Sequence, residues 1–92
     1  MQNMEQQLTF TTQIFKEGKQ YVSFNSELQV ASCGDTPEEA KDMLRKAIRA
    51  FLRAAERQGT LNTILEEAGF IQRSKKWHDP YMISLDRMSV SA

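Results

Sequence analysis

The rhythm of apolar and polar positions changes along the chain, and each change falls at a glycine or a proline. From Leu8 to Phe15 the residues Leu8, Phe10, Thr12 and Ile14 alternate with Thr9, Thr11 and Gln13. That period of two, in β-branched and aromatic types, predicts a strand. Lys16-Glu17-Gly18-Lys19 is a polar turn. Gln20 to Asn25 alternates Val22 and Phe24 against Tyr21 and Ser23, which predicts a second strand and a hairpin. Leu28 to Cys33 reads as a third short strand. Strands in direct succession form an antiparallel meander, and a meander needs a cover on one face.

The next segment supplies the cover. Thr36 can cap a helix, Pro37 suits the first helical position, and Glu39 completes a capping box. Ala40, Leu44, Ala47, Ile48, Phe51, Leu52 and Ala55 then form one continuous apolar face, and Gly59 closes the helix. Thr60 is expected to cap a second, short helix that ends at Gly69, with Leu61, Ile64 and Leu65 as its apolar side. Gln72 to Pro80 reads as a polar loop in which Trp77 is the only large apolar group. Tyr81 to Val90 alternates again and predicts a fourth strand. The expected fold is α+β, in the order β-β-β-α-α-β, with an antiparallel sheet covered on one face by the long helix.

The chain has 92 residues, which allows one domain over 1–92. Its core is expected at about 8–70, followed by a loop and strand over 71–92. Lys and Arg number 12 against 12 Asp and Glu, so bulk charge does not favour a generic nucleic-acid binder. Cys33 is the only cysteine, which excludes an internal disulfide framework and fits a reducing cytoplasm. No apolar run approaches the ~20 residues of a membrane helix, and Met1 to Gln7 lacks an apolar signal core. Neither membrane attachment nor secretion is expected.

Candidate chemistry is sparse. The first predicted strand carries no carboxylate, whereas metal-dependent nuclease chemistry needs several converging from central strands. Asp35, Glu38, Glu39 and Asp42 gather at a helix start, where carboxylates complement the dipole. His78 is the only histidine and has no identifiable partner for general-base work. Cys33 has no histidine or second cysteine at a catalytic or zinc spacing. No phosphate-binding or dinucleotide glycine motif is present. The expectation is binding rather than catalysis, with no catalytic residue, no metal and no cofactor.

The run Tyr21-Val22-Ser23-Phe24-Asn25-Ser26-Glu27-Leu28, followed by Gly34-Asp35-Thr36-Pro37-Glu38-Glu39-Ala40, resembles the HicB antitoxin family. In that family an aromatic-rich hairpin and a Pro-Glu-Leu element precede a Gly-Asp-Thr-x-Glu-Glu-Ala helix start; here Ser26 stands in place of the proline. The resemblance spans about residues 8 to 55. It implies a partial ribonuclease-H-like sheet without ribonuclease activity, a homodimer, and neutralisation of a small basic HicA-type ribonuclease toxin. Many members add a C-terminal DNA-binding module; this chain leaves little room for one after its core, so operator binding is not expected.

Two surfaces are candidates for a partner. Lys41, Arg45, Arg49, Arg53 and Arg57 recur every four residues along the long helix. Like charges at that spacing repel by a few tenths of a kcal/mol per pair, an effect that Asp42 offsets beside Arg45 and Lys46, and Glu56 beside Arg53. The stripe is either a solvated outer face or, through Lys41, Arg45, Arg49 and Arg53, a contact for RNA phosphate or an acidic partner. The second surface is the side of the sheet away from the helices, where Tyr21, Phe15 and Cys33 are expected to project as a protein interface.

Overall fold

A computed structural model describes residues 6–92. The chain forms a three-stranded antiparallel sheet, β1 (Gln13–Glu17), β2 (Gln20–Asn25) and β3 (Val30–Gly34), in the order β1-β2-β3. The helix α1 (Pro37–Gln58) crosses one face, lying mainly over β2 and β3. A short helix α2 (Leu61–Glu67) follows, and then a small hairpin of β4 (Ile71–Arg73) and β5 (Lys76–His78). The expected α+β architecture and its long helical cover are present, in the fuller order β-β-β-α-α-β-β.

The strand expected over Leu8 to Phe15 starts only at Gln13 and runs on to Glu17. The reason lies in pairing. Gln13 opposes Phe24 near the end of β2, and no strand lies opposite the residues before Gln13. Side chains hold that arm instead. The Asn25 Nδ2 group donates to the Thr11 carbonyl at 2.8 Å, and the Thr11 N–H donates to Glu27 Oε1 at 2.8 Å. The third strand is Val30–Gly34 rather than Leu28 to Cys33. The Leu28 N–H is drawn to Asn25 Oδ1 at 2.8 Å, and Gln29 turns the chain at φ 58° before pairing begins.

The helix α1 begins as its residues dictate. Thr36 Oγ1 accepts the Glu39 N–H at 3.0 Å, while Glu39 Oε1 accepts the Asp35 N–H at 2.5 Å. The reciprocal bond of the capping box thus lands one residue ahead of the cap itself. Gly59 ends the helix in the left-handed region at φ 76° and donates to Ala55 and Glu56 carbonyls. Ala40, Leu44, Ile48 and Ala55 are the buried residues of α1. Complete burial of a leucine such as Leu44 stabilises by about 2 kcal/mol.

The core has a second part beyond the sheet. Ala55, Leu61, Leu65, Phe70 and Trp77 form one buried cluster, with Leu8 and Phe10 packed against it. The Phe10 and Phe70 rings meet with centroids 5.3 Å apart and planes tilted by 49°, a favourable aromatic geometry. Thr60 does not cap α2 through its side chain as expected; its hydroxyl donates back to the Ala55 carbonyl at 3.3 Å. The expected loop Gln72 to Pro80 contains most of the β4–β5 hairpin, and Trp77 is buried within it. Ser74 and Lys75 form its two-residue turn with φ 52° and 64°, the positive pair that a type I′ turn demands.

The fourth strand expected at Tyr81 to Val90 is absent; residues 79–92 carry no secondary structure. Its large side chains are open to solvent, with Tyr81 93% and Ile83 94% exposed. A strand requires a partner edge, and among the described residues this segment pairs with none.

Candidate functional site

The two faces of the sheet are set by Ser23. Its hydroxyl, fully buried, donates to the Ala40 carbonyl of α1 at 2.7 Å. Odd-numbered positions of β2 therefore face the helix, and even-numbered ones face away. Tyr21 shares the parity of Ser23, so it lies on the helix side and not on the open face where it was expected. It is half-buried there, with the Lys16 ammonium 6.0 Å from its ring centroid. Phe15 and Cys33 do share the open face, since both stand opposite Val22 in the strand register. With Val22, Phe24 and Ala31 they form an apolar face that no element among the described residues covers. Phe15 is 52% exposed, and the Cys33 thiol is free and exposed.

The cationic stripe also takes a definite place. Lys41, Arg45, Arg49 and Arg53 line one wall of a groove of about 520 Å³ between α1 and the N-terminal arm. Leu8, Phe10 and Thr12 line the opposite side, and Leu44, Ile48 and Leu52 contribute an apolar floor. The four cations are exposed to solvent and border this partly apolar groove. Asp42 pairs with Arg45 at 3.2 Å and with Lys46 at 3.4 Å, both in the open, where such pairs contribute a few tenths of a kcal/mol. Among the described residues no ion pair joins Glu56 to Arg53.

A polar knot holds the arm that forms the groove's far wall. Asn25 is fully buried and makes three bonds, two of them to Thr11 and Leu28; the third runs from Nδ2 to Glu27 Oε1 at 2.6 Å. Glu27 also accepts the Thr11 hydroxyl at 2.6 Å. Burial pushes the Glu27 carboxyl up, but the hydrogen bonds from Thr11 and Asn25 outweigh it and hold the group below its ordinary range. A depressed folded-state value means stabilisation present above the unfolded-state value and lost as pH falls through the folded one. Wild-type protein is therefore expected to be more stable than Glu27→Gln at neutral pH, with the gap closing as pH drops below about 4.5. Urea melts of both proteins between neutral pH and pH 3 check this; a gap independent of pH would remove the charged knot.

The sequence pattern did not single out Asn25 as structural. An asparagine ending a strand, two residues before a glutamate, is the one signal that was available. His78 stands exposed on β5, paired in register with Ile71. Among the described residues no group of His, Cys, Asp or Glu side chains converges to hold a metal ion. No helix among them is long and apolar enough to cross a membrane. Comparison with models of known protein families, with curated proteins and with solved structures finds no match to this chain.

Proposed function

We propose that this chain is a HicB-like antitoxin-type domain of the cytoplasm, with a partial ribonuclease-H-like sheet, that acts as a homodimer without catalysis of its own. It captures a small basic HicA-type ribonuclease and blocks that enzyme's active site sterically. The observation that carries the reading is the corner from Gly34 to Ala40, where every residue of the Gly-Asp-Thr-Pro-Glu-Glu-Ala run fits its place. Gly34 lets the helix start approach the sheet, Thr36 and Glu39 cap it, and Ala40 is fully buried on Ser23. The uncovered face with Phe15 and Cys33 suits the capture of a protein, because an apolar patch of this kind favours protein contact. A basic toxin is repelled by the rim of Lys41, Arg45, Arg49 and Arg53, which directs it to that face.

The test is inhibition in a purified system. The small basic ribonuclease encoded beside this chain should lose RNA cleavage as the chain is titrated to equivalence. Phe15→Lys should weaken that inhibition at least tenfold while leaving the melting curve in place, as its side chain is half exposed. Full cleavage at a large excess of the chain would rule the reading out. A second reading, an RNA-binding or regulatory domain, draws on the four cations that share one groove wall. Under that reading RNA affinity falls steeply with salt and collapses when the three arginines become glutamines; an absence of salt-dependent RNA binding removes it.

A further inference from the structure

The N-terminal arm presents a free strand edge. Leu8, Phe10 and Thr12 turn their side chains into the groove, whereas the N–H groups of Thr9 and Thr11 donate to Asp79 Oδ1 at 3.0 Å and Glu27 Oε1 at 2.8 Å. In an extended chain, backbone groups of alternate residues point to opposite sides. Those of Thr9 and Thr11 point inward, toward the β2 end and the base of the tail. Those of Leu8, Phe10 and Thr12 point outward, and among the described residues they have no backbone partner. Because β1 is itself an edge strand, the arm and β1 form one edge open to an added strand.

The same chain carries an unpaired strand-like segment. Tyr81, Ile83 and Leu85 alternate along the tail and are 93%, 94% and 65% exposed. We infer that the tail of a second copy adds as a strand to the outer edge of the N-terminal arm, with Tyr81, Ile83 and Leu85 set into the groove beside α1, and that two chains exchange tails reciprocally. The inference rests on the homodimer of the proposed reading and on nothing about its toxin.

Length fits this occupant. From Lys41 to Glu56 the groove follows α1 for about 22 Å at ~1.5 Å per residue. Residues 81–88 reach about 23 Å at ~3.3 Å per residue. Charge fits it as well. Residues 79–92 hold Asp79 and Asp86 against the single Arg87, so the cationic rim does not repel them as it would a basic protein. The geometry at the base of the tail favours a second copy over the chain's own tail. Asp79 sits on the inner side of the arm, bound to Thr9, and Pro80 packs near Gly69, so the chain's own tail departs from the side opposite the free edge.

Sedimentation velocity of the full chain alone, at tens of micromolar, is the primary test. A dimer is expected, and the double variant Ile83→Asp, Leu85→Asp should be monomeric while keeping the far-UV circular dichroism of the folded chain, since both side chains are exposed. A second measurement fixes the geometry. Thr12→Cys and Leu85→Cys are placed on separate chains, each also Cys33→Ser, and mixed with a short bis-maleimide. A covalent heterodimer of the two chains is expected. A monomeric full chain, a dimer that survives the double variant, or a crosslink formed only when one chain carries both cysteines would overturn the inference. Each of those results leaves toxin inhibition by the chain as a separate question, and a failed inhibition assay leaves the dimer standing.

Discussion

Trp77→Ala should lower the free energy of unfolding by about 3–5 kcal/mol, the range for deleting a buried large aromatic. The indole is 6% exposed and packs with Ala55, Leu61, Leu65 and Phe70. Its removal leaves a cavity where α1, α2 and the β4–β5 hairpin meet. It also loosens the arm, since Leu8 and Phe10 pack against the same cluster, although the bonds from Gln6 to the Trp77 backbone are kept. A small domain has a total stability of about 5–15 kcal/mol, so the variant is expected to lose much of its folded population at physiological temperature. Trp77→Phe, which keeps an apolar ring, should recover roughly half the loss. Far-UV circular dichroism in urea is the readout, because Trp77 is the only tryptophan and the variants have no indole emission. A loss under about 1 kcal/mol would mean the hairpin is an appendage rather than part of the core.

Gly34→Ala is expected to cost about 2 kcal/mol, through crowding rather than through a lost contact. A Cβ at Gly34 would come within 2.6 Å of the Ala40 backbone nitrogen and 2.9 Å of the Glu39 carbonyl carbon. Both are backbone atoms in the first turn of α1, so relief requires the helix start to lift off the sheet. Lifting it weakens the buried bond from Ser23 to the Ala40 carbonyl as well. The melting temperature should fall by roughly 10 °C for a domain of this size. Unchanged melting would show that the helix start yields freely. The prediction separates two roles that glycine can play, because here it is close approach and not a positive φ that requires the small residue.

How far these features were legible in the sequence depends on whether the signal was local. The boundaries of α1 could be read because cap, proline, periodic apolar face and closing glycine all lie within the segment itself. The β2 strand was likewise readable from its own alternation. The faces of the sheet were not, because the buried positions of β2 are the polar Ser23 and Asn25, while Val22 and Phe24 look outward. Apolar pattern alone assigns such a strand no inside, and Tyr21 was placed on the wrong side for that reason. The β4–β5 hairpin was hidden by its three-residue strands and by Ser74 and Lys75 in a turn that favours asparagine and glycine. Strand potential at Leu8 to Thr12 and at Tyr81 to Val90 was legible, but pairing is a property of two segments, and neither finds a partner strand among the described residues. For the binding surfaces, the spacing of Lys41, Arg45, Arg49 and Arg53 was plain, whereas the groove beside them depends on where the N-terminal arm is tied down.

That tie has a bearing on the order of folding. Gln6 grips Trp77 across a sequence separation of 71, and Thr9 meets Asp79 across 70, so the clasp is the longest-range contact described. Closing a loop of that length carries the largest entropic cost among the contacts described, and the β1–β2 hairpin and α1 need no such closure. The clasp accordingly forms last. The sheet and long helix are expected to assemble before Gln6 and Thr9 are held, since those two bonds need residues 77–79. Thr11 is tied locally to Asn25 and Glu27, so the arm is expected to be secured in two stages, first at Thr11 and only later at Gln6 and Thr9, and the groove wall near Leu8 is the last part of the fold to be fixed.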